Sequence, residues 1–413
     1  MHDGNTIVAG FIPLLDAAIL IAAREKGFAA KEGIDLVLVR ETSWANIRDR
    51  MAVGHFDAAH MLAPMPIAGN LGLNPLSSPT IAPMALGLGG NAVTVSNALW
   101  QAMESHGAPD TLEPLATGRA LRSVVAARVE DDLPRLRFAV VHPHSGHNYE
   151  LRYWLAASGI DPETDVEIVI IPPPLMADAL CTESIDGYCV GEPWNTAGVF
   201  ADCGRMATVK SAIWKSSPEK VLGVGTEFAE ENPEQIAALL RALHNAAVWC
   251  GEPDNHEELA FAIADERYLD VAPKMVVPAL SGSLKVGHGE QRRVDDFFIP
   301  YANAATFPWQ SHALWFYSQM VRWGHVTHTA KNVEVARRSY RPDIYRAALA
   351  PLGVAIPGAN AKVEGAFERP TPVGASGGSL ILGPDGFFDG TVFDPDHLDD
   401  YLASQRPAKT VSK

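Results

Sequence analysis

The sequence predicts a two-lobed α/β protein. Three observations lead to this fold class: the length of the chain, an alternation of strand and helix patterns near its start, and a second alternation further along. The chain has 413 residues, and one domain usually has about 100 to 200. Two lobes therefore fit the length, and each alternation gives one lobe a parallel sheet covered by helices.

The first alternation lies near the start of the chain. Apolar, β-rich segments that read as strands cover residues 6–11, 34–39 and 56–61. The helical pattern between the first two strands ends at Gly27, and the next begins after Ser43, a preferred N-cap residue, and ends at Gly54. This β-α-β-α-β order is typical of a parallel sheet.

The second alternation, at residues 138–190, contains a helix at 149–157 and predicts the second lobe. Residues 96–133 have weak helical periodicity, which predicts helices joined by surface loops. The apolar segment 222–224 resembles a strand that returns to the first lobe. We therefore assign residues 1–92 and 222–413 to lobe I and residues 93–221 to lobe II.

Later in the chain, amphipathic patterns predict long helices at residues 233–250 and 311–323. Residues 365–378 are rich in proline and glycine and predict a loop. The two predicted lobes therefore carry an additional, mainly helical C-terminal region.

The net charge of −16 limits the possible partners. Nucleic acids and anionic membrane surfaces attract basic proteins, so this acidic chain is not expected to bind either directly. No apolar segment approaches the roughly 20 residues that span a bilayer. A small anion stays possible, but it needs a locally positive, desolvated pocket.

The chain begins without the basic and apolar regions of a secretory signal peptide, so we expect a cytoplasmic protein. The four cysteines have no zinc-ligand spacing and are expected to be free thiols in a reducing compartment. They are Cys181, Cys189, Cys203 and Cys250.

Polar residues interrupt the pattern at four places where strands end or helices begin, which is where α/β folds bind ligands. At the first, the amides of Ala45 and Asn46 follow Ser43 at a helix start, a favourable place for an anion. An ordinary capped helix with Trp44 in the core explains the same residues. At the second, Asn91 follows two glycines, which alone indicates only a turn.

The third place is the segment 142–148, with three histidines between a strand and a helix. Their spacing fits no standard zinc site, so capping or hydrogen-bonding histidines are favoured over a metal site. The fourth is Lys220, directly before the returning strand. A lysine in that position is usually solvated. It indicates a binding site only in combination with the other three places.

That combination resembles the nitrate- and bicarbonate-binding proteins of bacterial ABC transporters, together with their cytoplasmic relatives, the NasS-type nitrate/nitrite sensors. The motifs that carry the resemblance extend over nearly the whole chain. They are GFIPL at residues 10–14, SWANIRD at 43–49, LAPMP at 62–66, LRYWL at 151–155, GEPWN at 191–195 and WKSSPEK at 214–220. The resemblance implies a type II periplasmic-binding-protein fold, in which two lobes close over a ligand like a clam shell.

The resemblance also implies a nitrate or nitrite site, with no cofactor and no metal. Its predicted ligand-binding residues are Trp44, Ala45, Asn46, Asn91, His147, Pro173 and Lys220. Asn91 stands where the nitrate transporter protein has a glutamine, so this contact is one methylene shorter. Gly90 and Glu192 are expected to lie next to the ligand-binding residues without touching the anion themselves. For Glu192 the reason is that a carboxylate in direct contact would repel the anion.

Lys220 distinguishes the ligands, since the bicarbonate binders carry an acidic residue at this position that helps to hold calcium. Burying a monovalent anion without an opposite charge costs several kcal/mol, and a lysine offsets much of that cost. We therefore expect Lys220 to supply the compensating charge for nitrate or nitrite. Sulfate or phosphate would bring a second charge that one lysine does not balance.

The leading functional hypothesis is a cytoplasmic sensor. By the resemblance, it would sequester an RNA-binding antiterminator with an ANTAR domain and release this partner when nitrate or nitrite binds. The alternative is a nitrate-binding protein of an ABC transporter whose signal peptide has been removed. An enzyme is not expected, because no catalytic residues, neither a nucleophile–base pair nor a metal set, can be recognised.

Overall fold

The computed structural model describes residues 5–76 and 78–405, and lobe I opens with the predicted parallel arrangement. The strands are β1 (Thr6–Phe11), β2 (Asp35–Arg40), β3 (Ala58–Leu62), β4 (Thr80–Ala85) and β5 (Leu88–Gly89). The helices are α1 (Ala18–Glu25), α2 (Phe28–Lys31), α3 (Trp44–Ala52) and α4 (Pro64–Asn70). Strand β1 pairs in parallel with both β2 and β3, as the alternation predicts.

Lobe II has a sheet of its own. Its strands are β6 (Asn91–Ser96), β7 (Leu136–Val140), β8 (Val166–Ile170), β9 (Gly187–Gly191) and β10 (Gly204–Val209). Its helices are α5 (Asn97–Ser105), α6 (Pro114–Glu130), α7 (Gly146–Ala157), α8 (Met176–Cys181), α9 (Trp194–Phe200) and α10 (Lys210–Ile213). The strand order is β10-β6-β9-β7-β8, with β7 parallel to β8 and β9. The weakly periodic region before β7 forms two helices.

The chain then returns to lobe I through β11 (Lys220–Gly225), which lies between β3 and β4 and is antiparallel to both. The later helices are α11 (Thr226–Glu231), α12 (Pro233–Gly251), α13 (His256–Ala264), α14 (Val277–Ser281), α15 (Gln310–Arg322), α16 (Ala330–Ser339), α17 (Pro342–Leu349) and α18 (Leu398–Ser404). The later strands are β12 (Ser283–Gly287), β13 (Glu290–Arg293), β14 (Phe298–Ile299), β15 (Ile356–Pro357), β16 (Thr371–Val373), β17 (Ala375–Ser376) and β18 (Leu380–Leu382).

Two of these short strands, β16 and β17, lie in the segment predicted as a proline- and glycine-rich loop. Strand β16 pairs with β18 and β17 pairs with β15. The segment therefore contributes one strand to each of two small two-stranded sheets. Proline is tolerated there because a short edge strand leaves one side of its backbone unpaired.

The crossings between the lobes bring two predicted site residues to the same junction. Asn91 begins β6 in the lobe II sheet, and Lys220 begins β11 in the lobe I sheet. Strand β6 begins two residues before the predicted start of lobe II, and β11 begins two residues before the predicted return to lobe I. The assignment of the remaining residues to the two lobes stays a prediction.

Loops of one lobe contact the other directly. The backbone amide of Leu15 donates a 2.8 Å hydrogen bond to the carbonyl of Glu192. The indole of Trp194 donates to the carbonyl of Pro13 at 3.1 Å. These bonds join the segment after β1 to the segment after β9, so the structure holds the lobes in contact at their shared edge.

The cysteines differ from the sequence-based expectation. Cys181 and Cys203 form a disulfide with a Cα–Cα distance of 5.1 Å, whereas Cys189 and Cys250 are free and buried. The expectation of four free thiols is therefore wrong for two of them. The pair is 22 residues apart in sequence, and only the folding of α8 and α9 onto one sheet brings its members together.

We predict that Cys181→Ser/Cys203→Ser lowers the free energy of unfolding by about 3 kcal/mol, because the bond closes a loop of this length in the unfolded chain. Urea unfolding measures the loss. A thiol reductant should bring the wild type to the stability of the double variant and leave the variant unchanged. Equal stability of the oxidised and reduced wild type would contradict this role.

Candidate functional site

A group of buried ionisable side chains lies where the two lobes meet. We call it the cleft cluster: Asp16, His60, His147, Glu150, Lys210, Glu219 and Lys220. Each is at most 2% exposed. Asp16, His60 and Lys220 belong to lobe I or the returning strand. His147 and Glu150 lie in α7, Lys210 lies in α10, and Glu219 directly precedes β11. Closure of the lobes therefore buries charges from both sides.

Lys220 stands at the centre of the cleft cluster. Its Nζ lies 2.7 Å from Oδ2 of Asp16 and 2.8 Å from Oε1 of Glu219. It also lies 5.5 Å from the centroid of the Trp44 ring, within the range of a cation–π contact. Two carboxylates thus already compensate this lysine. The expectation that Lys220 supplies the compensating charge for an anion stays a prediction, and the structure adds that Asp16 and Glu219 already contact this lysine.

The other members extend the same network. Lys210 Nζ lies 2.8 Å from Oε1 of Glu150 and also hydrogen-bonds Glu219. The Nδ1 atom of His147 lies 3.2 Å from Oε1 of Glu219. On the lobe I side, Nε2 of His60 lies 2.9 Å from Oδ1 of Asp16. The contacts run without interruption from His60 in β3 to Glu150 in α7.

Burial and neighbouring charges decide which groups are ionised. Burial opposes ionisation of Asp16, but Lys220 and His60 outweigh it and hold its pKa below the ordinary range. Burial likewise opposes ionisation of Glu219, yet His147 and the two lysines lower its pKa to about 2. Both carboxylates therefore carry a full charge at neutral pH.

Glu150 and the histidines behave in the opposite way. Burial raises the pKa of Glu150 to about 8 against the attraction of Lys210, so this carboxyl is mainly protonated at neutral pH. Burial lowers the pKa of His147 to about 3, although Glu219 acts in the other direction. Burial also lowers the pKa of His60. At neutral pH, the cleft cluster thus holds two ammonium groups, two carboxylates and no net charge.

Three polar groups beside the cleft cluster have no hydrogen-bond partner within the described part of the chain. They are Nε2 of His147, the side-chain amide of Asn91 and Nε1 of Trp44, and all are buried. A Cβ atom placed on Gly191 would lie 3.2 Å from Oδ1 of Asn91 and 3.8 Å from Oδ2 of Asp16, so Asn91 borders the cluster. Buried polar groups nearly always have partners, and several unpartnered polar groups at one place indicate a polar ligand.

The two predicted helix starts differ from simple anion sites. In α3, the Ser43 hydroxyl accepts the amide of Asn46 at 3.2 Å. The Asn46 side chain is exposed and donates to Glu41, while Ala45 stays at the first turn of the helix. In α7, a Cβ atom placed on Gly146 would lie 3.2 Å from Cδ of Glu219, so a protein carboxylate already lies beside the start of this helix.

The remaining histidines of the 142–148 segment lie outside the cleft cluster. Nδ1 of His144 lies 3.0 Å from the hydroxyl of Tyr149, which in turn lies 2.9 Å from Nδ1 of His325. The backbone amide of His144 donates to His142. Over residues 5–76 and 78–405, no group of three histidine, cysteine or acidic side chains is arranged to hold a metal ion. These histidines therefore make local hydrogen bonds.

Gly90 and Glu192 lie next to the site. Gly90 has a φ of +90°, which favours glycine. Its carbonyl accepts the amide of Glu192 at 3.0 Å, and the Glu192 carboxylate accepts the amide of Thr196 at 3.0 Å. Burial raises the pKa of Glu192 to about 7.

Pro173 begins a short 3-10 helix (Pro173–Leu175) and is buried, and no described polar contact connects it with the cleft cluster.

Sequence reasoning missed five of the seven members of the cleft cluster. They are Asp16, His60, Glu150, Lys210 and Glu219. Two of them gave a usable signal: Asp16 is an acidic residue inside an otherwise apolar segment, and Glu219 directly precedes the lysine that the resemblance identified. A buried lysine needs acidic partners, so a buried Lys220 itself indicates acidic residues close to it.

We predict that Lys220→Met lowers the free energy of unfolding by about 3 to 5 kcal/mol at pH 7, because it leaves buried carboxylates without their cation. The loss should shrink towards pH 4. In the wild type, the depressed pKa values of Asp16 and Glu219 stabilise the fold above the ordinary carboxyl pKa of about 4, and that contribution falls with pH. In the variant, protonation instead relieves the unpaired charge.

Urea unfolding at both pH values measures this effect. The matched control is Lys331→Met, which changes an exposed lysine of α16 and should alter stability by less than about 0.5 kcal/mol. Equal losses in the two variants would show that the contacts of Lys220 are energetically unimportant.

Comparisons with known proteins agree with this architecture. Residues 4–264 match the model of the NMT1-like family. The chain is 33% identical over 405 residues to the nitrate/nitrite binding protein NrtA of Synechococcus elongatus, covering 96% of this chain and 85% of that protein. It is 28% identical to the bicarbonate-binding protein CmpA of the same organism, covering 97% of this chain and 86% of that protein.

A solved structure shows the same fold. The crystal structure of the periplasmic nitrate-binding protein NrtA from Synechocystis PCC 6803 superposes with a TM-score of 0.85 at 27% sequence identity. The match covers 98% of this chain and 99% of that chain. The predicted periplasmic-binding-protein fold is thereby confirmed. The chain belongs to the NMT1-like family and is a homologue of the nitrate- and bicarbonate-binding proteins of ABC transporters.

Proposed function

We propose that this protein binds nitrate or nitrite between its two lobes as the solute-binding component of an ABC transport system. The observation that carries the proposal is the group of unpartnered, buried polar atoms beside the cleft cluster: Nε2 of His147, the Asn91 amide and Nε1 of Trp44. These atoms come from both lobes, as a clam-shell binding site requires. The names of the relatives supply the ligand class.

The composition of the site supports a small anion over a larger solute. The donors are buried among side chains that are almost fully inaccessible, and such a closed site suits a ligand of a few atoms. Lys220 supports nitrate or nitrite over bicarbonate, because the bicarbonate binders are expected to carry an acidic, calcium-holding residue there. Trp44, Asn91, His147 and Lys220 are the contacts we propose, while Ala45, Asn46 and Pro173 rest on the resemblance alone.

The disulfide supports transport over cytoplasmic sensing. A bond between Cys181 and Cys203 persists in an oxidising compartment and is rare in the cytosol. We therefore propose that the protein works outside the cytoplasm and delivers its anion to membrane-bound transporter subunits. Within the described residues, no helix is long and apolar enough to span a membrane.

The cytoplasmic sensor that holds an ANTAR-domain antiterminator stays a prediction of the resemblance. It requires the lobes to favour the partner-bound state until nitrate or nitrite shifts the equilibrium. The two roles differ in an observable way: a sensor co-purifies with its antiterminator and loses it when the anion is added, whereas a transport component does not form that complex.

We predict that calorimetry detects one nitrate or nitrite per chain and no binding of bicarbonate with calcium. Asn91→Ala should weaken nitrate binding by about 10- to 100-fold, because it removes a hydrogen bond to a charged ligand. The variant should change the stability of the ligand-free protein by less than about 1 kcal/mol, since this amide has no partner to lose.

Asn195→Ala is the matched control. Asn195 is equally buried, but its amide donates to the carbonyl of Val190 at 2.8 Å and accepts from Thr94 at 2.8 Å. This variant should lose stability and keep its affinity for nitrate. Absence of binding of both anions would contradict the proposed function, and unchanged affinity in Asn91→Ala would remove Asn91 from the site.

A further inference from the structure

We propose that the anion enters this site together with one proton, which the Nε2 atom of His147 accepts, and that Glu219 is the residue that imposes this coupling. The inference rests on the proposed function and extends it. Its basis is the pairing of charges in the cleft cluster and the different surroundings of the two nitrogen atoms of His147.

The charges of the cleft cluster are already paired before an anion arrives. Asp16 and Glu219 contact Lys220, and Glu219 and Glu150 contact Lys210. Three carboxyl groups thus face two ammonium groups, and the pairing is balanced when Glu150 holds a proton. An added anion leaves one uncompensated negative charge in a site that excludes water, at a cost of several kcal/mol. One proton restores the balance.

The geometry of His147 identifies where that proton goes. Its Nδ1 atom lies 3.2 Å from a carboxylate oxygen of Glu219. Neither ring nitrogen has a hydrogen-bond partner within the described residues, but an ionised oxygen this close to Nδ1 would repel a lone pair there, so we place the hydrogen of the neutral ring on Nδ1. The Nε2 atom then has a lone pair, which repels an anion. Protonation turns this unpartnered atom into a charged donor.

The groups around His147 decide how readily the ring is protonated. Glu219 and Asp16 favour the charged ring, whereas burial and the lysines at positions 210 and 220 oppose it. Glu150, in the same helix, is neutral at pH 7 through its raised pKa of about 8. Burial also raises the pKa of Cys189 and of Tyr340, the other titratable groups that face these carboxylates, so neither adds charge.

A bound anion shifts this balance. Its charge favours the imidazolium, so the pKa of His147 rises from about 3 in the ligand-free protein. Between the two pKa values, the free protein is deprotonated and the complex is protonated. Linkage then requires one proton to be taken up from solvent with each anion. Affinity therefore falls as pH rises through this window.

The test is nitrate titration calorimetry of the intact protein at one pH in two buffers with different ionisation enthalpies. The difference in heat gives the number of protons taken up. We expect uptake of one proton per nitrate, and an affinity that falls by up to about tenfold per pH unit as the pH rises above about 3, the pKa of His147 in the ligand-free protein. Binding with no proton uptake and constant affinity would overturn the coupling and leave the proposed function intact. Absence of nitrate and nitrite binding at every pH would overturn both.

Two variants separate titration from a structural role. His147→Asn keeps a polar donor that does not titrate, so proton uptake should fall to zero and the pH dependence should vanish. Glu219→Gln removes one negative charge, so nitrate should bind without a proton and more tightly than to the wild type at pH 7. Persistent uptake of one proton in both variants would overturn the assignment to His147 and Glu219.

The matched control is His244→Asn. His244 is a buried histidine of α12 whose pKa burial lowers to about 4, and its ring packs against Tyr301 at 5.3 Å. It contacts no member of the cleft cluster in the described contacts. This variant should keep one proton per nitrate and the pH dependence of the wild type. Loss of the coupling in this control would overturn the proposed role of His147.

Discussion

The balance of charge inside the closed junction is the constraint on which the rest of the structure depends. Ionised groups are stable in a buried environment only when opposite charges lie in contact with them. Here some pairs lie within one lobe, such as Lys220 with Asp16 and Lys210 with Glu150, and Glu219 joins them into one network across the junction. Glu219 makes this dependence visible, because one carboxylate contacts Lys220 in its own segment, Lys210 in α10 and His147 in α7.

This balance also changes the physical account of anion recognition. A single lysine in a cleft would attract any small anion. Asp16 and Glu219 compensate the charge of Lys220. The main effect of this charge is therefore to hold the neighbouring carboxylates in place, and it attracts the ligand less. Selectivity then depends on neutral donors such as Asn91 and on the protonation of His147. A dianion would need a second proton in the same cluster, which disfavours it.

The features that local chemistry determines could be predicted from the sequence. Strand and helix periodicity located β1 to β3, and the hydroxyl of Ser43 caps α3 as expected. Features that depend on distant residues could not. The contact between Lys220 and Asp16 joins residues 204 positions apart, and no local pattern predicts it.

The disulfide and the helix starts show the same limit. Cys181 and Cys203 meet only because two helices pack on one sheet. The start of α7 looks like an anion site in sequence, but the carboxylate of Glu219 already occupies the space beside Gly146. The family resemblance named Lys220 and His147, which both contact Glu219 in the folded structure, while the acidic residues that control their charge could be found only from that structure.

The most direct test of this account is a crystal structure of the protein grown with nitrate. The account predicts one nitrate between the lobes, with oxygens within about 3.2 Å of Nε2 of His147 and of the Asn91 amide nitrogen. The ion pairs of Lys220 with Asp16 and Glu219 should persist beside it. Nitrate bound elsewhere, with these donors still unpartnered, would contradict the claim that the cleft cluster forms the anion site.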